Sequence, residues 1–263
     1  MIRLLTRADD AACSINANKA IRATYVDGIL KNTSVLATGP AVADAAERFR
    51  DLDGLCIGLH ACLNSEWASP RWGPVLPREK VPTHVDAEGY FYQNPEMLRE
   101  KGFDIAQALA EIQAQINKLR DAGFELSYMD EHMMFDRCGT LGPGLCEMAK
   151  SQGLVFRPEY KRFKPTGPAD KKGQAEEIDH ATWLLQKLKN ASPGAYLCVG
   201  HPTYEDAGFI KSPEAGPGAA GSKRTVGEER NQQRLMFMRP DVVAYCKTND
   251  IQLIRYDEID TSE

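Results

Sequence analysis

Apolar and polar positions along this chain alternate between two periods. Seven short runs read as strands: IRLLTRA (2–8), GILKNTSVLA (28–37), GLCIGLH (54–60), FELSYMDEH (124–132), GLVFRP (153–158), AYLCVGHP (195–202) and IQLIRY (251–256). The segments between them carry helical spacing. Ile105, Leu109, Ile112, Ile116 and Leu119 step by three and four, which predicts a helix over 104–122 with Gly123 as its stop. Ser14 suits an N-cap for a helix over 14–27 that ends at Gly28, and Pro40 suits the first turn of one over 40–50. Shorter patterns predict helices over 145–152 and 176–189. Thr225 with Glu228 forms a capping-box pattern opening a helix over 225–249.

Strands alternating with helices imply a parallel sheet with right-handed crossovers. About seven such units predict an α/β fold, a deformed (β/α) barrel, with a doubly wound open sheet as the competitor. No linker or repeat interrupts the chain, so one domain over 1–263 is expected. Two stretches break the rhythm. Residues 61–102 show no helical period but carry Trp67, Trp72, Tyr90, Phe91 and Tyr92, and residues 203–224 are rich in Gly and Pro. Loops of that length in compact domains serve as lids or binding loops, or are disordered. The aromatics of the first suit sugar rings or packing onto the body.

Composition narrows the picture. Hydrophobic residues make up 43% of the 263 and charged residues 26%, enough for a substantial core. A net charge of −5 argues against nucleic acid or an anionic membrane as partner. No run is long enough to span a bilayer, and MIRLLTRADD contains no signal-length apolar stretch, so a cytoplasmic location is expected. The seven cysteines show no C-x-x-C spacing and lie partly in apolar runs, which predicts buried, reduced thiols rather than a cysteine zinc site.

The chemistry collects at strand ends. The first strand ends in Asp9-Asp10, the third in His60, the fourth in Asp130-Glu131-His132, the fifth in Arg157 and the sixth in His201. In a parallel barrel these ends share one face, where such folds place their sites. The other histidines read as bystanders, His84 in the long loop and His180 on a helix surface. Two histidines and a carboxylate make a three-ligand metal set with open positions for water and substrate. One carboxylate of the aspartate pair would hold the cation and the other would act as base, and the cation would offset their repulsion. His201 is the candidate acid, and Arg157 would orient the base, bind substrate or form a salt bridge, with Glu159 as a partner.

RADD, GLH, MDEH and GHP occur here in the order found in the YdjC-like carbohydrate deacetylases, a group that includes chitooligosaccharide and hopanoid-biosynthesis deacetylases. GILKNTSVLATGPAVADAA and WGPVLP…VDAEGYF also resemble that family's second unit and substrate loop. The resemblance implies a barrel related to the polysaccharide deacetylases. It matches Asp10, His60 and His132 to the metal ligands, Asp9 to the base and His201 to the acid. Trp67, Trp72, Tyr92 and Arg157 are the expected substrate contacts. One divalent metal is implied, zinc or magnesium first, then manganese, cobalt or iron. The implied substrate is an acetylated sugar, and a homodimer is the assembly the family suggests. Two departures stand out. Ala11-Ala12 replace the family's Phe-Gly, and Met133-Met134-Phe135 replace further histidines, predicting a more apolar wall. The alternatives are hydrolysis of another bond (amide or phosphoester) and a non-catalytic metal- or sugar-binding protein on the same barrel. A phosphate substrate would favour a glycine-rich cradle or several strand-end Arg or Lys, and neither is present near the triad.

Overall fold

A computed structural model describes residues 1–67, 70–156, 163–167, 178–205 and 225–259. Eight strands pair, all in parallel. They are β1 (Ile2–Ala11), β2 (Asn32–Val35), β3 (Cys56–Ala61), β4 (Leu126–Glu131), β5 (Val155–Phe156), β6 (Lys164–Pro165), β7 (Gly194–Gly200) and β8 (Gln252–Ile254). The order is β5-β4-β3-β2-β1-β7-β6, with β8 paired to β1. Among the described residues no pairing joins β5 to β6, so the sheet is a curled half-barrel. The seven expected strands are present. β6 is additional, a two-residue strand too short to leave a period in the sequence.

The helices are α1 (Ile15–Val26), α2 (Val42–Phe49), α3 (Pro95–Lys101), α4 (Ile105–Asp121), α5 (Leu141–Ser151), α6 (His180–Lys189), α7 (Val226–Met238) and α8 (Pro240–Thr248). Ser14 caps α1 as expected and Asp104 caps α4, each accepting a backbone N–H three residues on. The Thr225–Glu228 capping box opens α7. Three expectations change. The helix expected over 225–249 is two, because Pro240 supplies no N–H and holds Arg239 extended (φ −62°, ψ 132°). α2 starts at Val42, so Pro40 precedes the helix rather than occupying its first turn. The long loop contains α3, whose N-cap Asn94 and N1 Pro95 mark a start that its seven residues are too few to show by periodicity.

Alternation along the strands divides the core. Leu4 and Ala8 of β1 join the large cluster beneath the helices. Leu5, Cys56, Tyr128, Leu197, Ile254 and Tyr256 form a second cluster inside the curl. Continuing upward on that inner face, β1 presents Arg7 and Asp9, β2 Ser34, β3 Gly58 and His60, and β4 Asp130. The apolar plug thus gives way to polar groups at the carboxyl ends of the strands. Gly58 makes room for Tyr128, since a Cβ there would lie 2.5 Å from the ring. Gly58→Ala is therefore expected to destabilise the fold by about 1–3 kcal/mol through overpacking, read as a lower urea midpoint at unchanged slope.

The long loop is fastened from α4. Glu111 accepts the Val75 and Leu76 amides at 2.8 and 2.9 Å, and Gln115 brackets both backbone groups of Cys62. His84 is a loop residue as expected but fully buried, edge-on to Phe103, and burial pushes its imidazole down to about 4. His180, expected at the surface, is buried and paired with Glu229 of α7. All seven cysteines are free and only Cys146 is exposed. Among the described residues no helix is long and apolar enough to cross a membrane.

Candidate metal centre

The aspartate pair stands on a bulge. Ala8 pairs with Thr33 and Ala11 with Val35, so β1 carries one more residue than β2 across this interval. Asp10 takes the left-handed conformation there (φ 62°). In a regular strand adjacent side chains point to opposite faces. The bulge instead leaves both carboxylates at the site. Among the described residues, four of the five non-glycine residues with positive φ, Asp10, Ala12, Met133 and Met134, lie in the segments that hold Asp10 and His132. Ala12 (φ 72°) occupies the position at which the family pattern has glycine. Its amide donates to Asn18 Oδ1 at 2.7 Å, which secures the turn.

His60 and Asp130 are directly paired across β3 and β4, which fixes their side chains side by side. His60 Nδ1 lies 2.8 Å from Asp130 Oδ1. His132 follows β4, and its Nε2 lies 2.7 Å from Glu66 Oε2. Each imidazole thus directs one nitrogen to a carboxylate and the other inward. The three inward atoms are mutually close. Asp10 Oδ1 is 3.4 Å from His60 Nε2 and 3.2 Å from His132 Nδ1, and the two nitrogens are 3.4 Å apart. Donors bonded at ~2.1 Å to a tetrahedral cation stand ~3.4 Å from one another. Asp10 Oδ1 is buried and, among the described residues, meets no donor in hydrogen-bond geometry. Its other oxygen accepts Arg230 Nη2 at 2.7 Å. Asp10, His60 and His132 form a group able to hold a metal ion, and the carboxylates behind both imidazoles orient them as such sites require.

Electrostatics agrees with a divalent charge. The ligands, their partners Asp130, Glu66 and Arg230, and the Arg7–Asp9 pair joined to Asp130 bring four carboxylates, those of Asp9, Asp10, Asp130 and Glu66, against the guanidinium groups of Arg7 and Arg230. With neutral imidazoles, a 2+ cation balances that set. Burial alone would raise Asp10, but Arg230 and the two imidazoles hold it well below the usual carboxylate range. Asp130 is likewise lowered, because Arg7 and His60 outweigh its burial. Burial would lower His60, but Asp130, Asp9 and Asp10 raise it to about 9. His132 is raised well above its ordinary value against burial, chiefly by Glu66. A cation competes with protons for these nitrogens. Burial pushes the nearby thiols up, Cys13 to about 12, so they remain protonated and are poor ligands.

The remaining expected residues divide. Asp9 is gripped by Arg7, with Nε to Oδ1 at 2.6 Å and Nη2 to Oδ2 at 3.0 Å. His201 follows Gly200, which is in register with Ala8, so it stands level with Asp9. Its Nδ1 lies 3.2 Å from Gln233 Oε1, and burial pushes its imidazole below the ordinary value. Trp72 reaches His132 edge-on at 5.9 Å, and Trp67 lies 5.3 Å beneath Arg230. Tyr92 packs against the core, and its carbonyl accepts the Ser65 amide. Of the expected apolar wall, Met133 is exposed and Met134 half-buried, whereas Phe135 belongs to the core. Arg157 and Glu159, most of the glycine-rich loop and the start of the helix expected from 176 lie outside the described residues.

Sequence reasoning missed Arg7, Glu66 and Arg230, and gave Asp130 no role. Arg7 and Asp130 carry a signal, each two residues before a site residue. Glu66 comes from a loop and Arg230 from a helix far along the chain, where no local pattern marks them.

A carbohydrate deacetylase from Thermoanaerobacter pseudethanolicus is 26% identical over 269 residues, covering 96% of this chain and 97% of the relative. One from Listeria monocytogenes serotype 4a is 34% identical over 159 residues, 59% of this chain and 60% of the relative. A crystal structure from Enterococcus faecalis V583, provisionally described as a cellobiose-phosphate cleavage protein, superposes with a TM-score of 0.75 at 20% identity. It covers 97% of both chains and shows the shared fold. The family model described as YdjC-like protein matches residues 3–248, and the chain belongs to that family.

Proposed function

We propose that this protein is a metal-dependent hydrolase that removes acetyl groups from N-acetylated sugars or oligosaccharides. The observation that carries the reading is the triangle of Asp10 Oδ1, His60 Nε2 and His132 Nδ1 beside a second, separately held carboxylate, Asp9. The carbohydrate deacetylases among its relatives support the sugar amide as substrate.

Asp10, His60 and His132 would hold the cation, zinc or magnesium by ligand type. When bound, a divalent cation supplies Lewis acidity that acidifies water and polarises the acetyl carbonyl. Asp9 takes the proton from the attacking water, its carboxylate plane set by the Arg7 fork. His201 delivers a proton from Nε2 to the departing amine while Gln233 holds Nδ1. The depressed basicity of this imidazole makes its protonated form a ready donor. Trp72, buried in the core, braces His132 from the side, and the half-buried Trp67 beneath Arg230 offers an apolar surface to a sugar ring.

The reading is tested by incubating the metal-loaded protein with a panel of N-acetylated mono- and oligosaccharides and measuring free acetate with free amine. Acetate and amine in equal amounts are expected. Release of phosphate from phosphorylated sugars, with no acetate from the panel, overturns the reading. The acid role has its own signature. His201→Ala should lower turnover of N-acetyl sugars by about 10²-fold or more and spare an activated aryl acetate, whose leaving group needs no proton. Equal loss on both substrates would remove His201 from that role.

A further inference from the structure

Arg7 is buried on the inner face of β1, and its contacts join two parts of the site that otherwise come from different strands. One edge of the guanidinium forks onto both oxygens of Asp9. The opposite nitrogen, Nη1, lies 2.9 Å from Asp130 Oδ2 and donates to Tyr256 Oη at 2.7 Å. Asp130 Oδ1 in turn meets His60 Nδ1. Ser34 donates to Asp130 Oδ2 at 2.8 Å and meets the Tyr128 hydroxyl at 2.9 Å. Tyr256 is fully buried, stacked on Tyr128 at 3.9 Å, and its amide donates to Asn32. The tyrosine that receives Arg7 thus stands in a packed frame 249 residues away in sequence.

We propose that Arg7 is a positioning residue that locks the Asp9 carboxylate to the Asp130–His60 pair, with Tyr256 anchoring the far side of its guanidinium. The planar fork fixes both the place and the plane of Asp9. A lysine ammonium would keep the charge but could not hold two carboxylates in that geometry. The same plane connects Asp9 to the partner of one ligand, so a displacement of either aspartate is felt by the other. Only the turnover readout of this inference rests on the deacetylase reading.

The test compares Arg7→Lys and Tyr256→Phe with the wild type, each loaded with one equivalent of zinc. Zinc affinity, thermal midpoint, kcat and KM for acetate release, and the His60 Nδ1–H proton resonance are measured. Folded Arg7→Lys should keep KM within about threefold and lose about 100-fold in kcat, the scale of a displaced general base. Its Nδ1–H signal should move downfield, because Asp130 loses a charged donor and takes more from the imidazole. Tyr256→Phe should shift both readouts the same way, by a smaller amount. A folded, zinc-loaded Arg7→Lys with wild-type kcat or an unmoved resonance overturns the proposal, and so does a kcat loss matched by the loss in zinc affinity. If Arg7→Lys does not fold, Tyr256→Phe decides by the same two readouts, and wild-type values in both overturn it. If the wild type releases acetate from no N-acetylated sugar, the deacetylase reading fails, and the resonance alone decides Arg7.

Discussion

Asp9→Asn is expected to retain the cation and lose about 10²–10⁴-fold in turnover, the usual contribution of a general base. Asp10→Asn is expected to lose both. The two residues are neighbours in sequence, yet the bulge gives them different partners. Asp10 turns one oxygen to His60 and His132 and the other to Arg230. Asp9 makes its bidentate contact with Arg7 and stays out of the triangle. An amide at Asp9 presents an N–H₂ to the Arg7 fork and cannot accept a proton, but removes no ligand. An amide at Asp10 replaces a charged ligand with a neutral one beside Arg230, whose charge then repels the cation without offset. Metal content by elemental analysis beside acetate-release rates checks both variants. A metal-poor Asp9→Asn with a metal-replete Asp10→Asn reverses the assignment, and full activity in both removes the pair from the mechanism.

The second large effect is pH-dependent. His60 is raised from 6.5 to about 9, so it favours the fold fully below about 6.5, and that contribution is lost as pH climbs through about 9. A shift of that size corresponds to something on the order of 3 kcal/mol. Protein stripped of metal should therefore lose roughly 5–10 °C in Tm between pH 6.5 and 9.5, at the usual sensitivity for a chain of this size. The cation needs neutral imidazoles, so its affinity rises over the same window. Loaded protein should hold its Tm there, and the gap between the two forms should widen with pH. Scanning calorimetry of both forms across this range tests the linkage. A gap that stays constant or narrows contradicts it.

How far the sequence reached is best seen residue by residue. His60 and His132 were legible because they end apolar runs, and parallel strands bring their carboxyl ends together whatever the intervening chain does. The same rule put His201 on that face, and the register of β7 with β1 sets it level with Asp9. The alternation of strands and helices gave the curled sheet, but a two-residue strand such as β6 leaves no period to read. The break at Pro240 is marked in the sequence by the proline itself, which the reading of one helix over 225–249 passed over. The resemblance chose between Asp9 and Asp10, and strand geometry alone could not, because their arrangement depends on a bulge that only the pairing with β2 reveals. Arg7 was within reach, since it shares a face with Asp9 at spacing two. Glu66 and Arg230 were not, because the contacts that recruit them are made by a loop and a helix folding back over the strand ends. His180 shows the converse error: a helical histidine among charged residues read as surface, and the packing of α6 on α7 buried it against Glu229.

The central claim is that one cation at Asp10, His60 and His132 drives acetate release. It is tested most directly by stripping the protein with a chelator, then adding zinc or magnesium in fractions of an equivalent and following acetate release from an N-acetylated sugar. The account predicts no release without metal, and a linear rise that breaks at one equivalent. Undiminished release from stripped protein, or a rise that continues well past one equivalent, would contradict it.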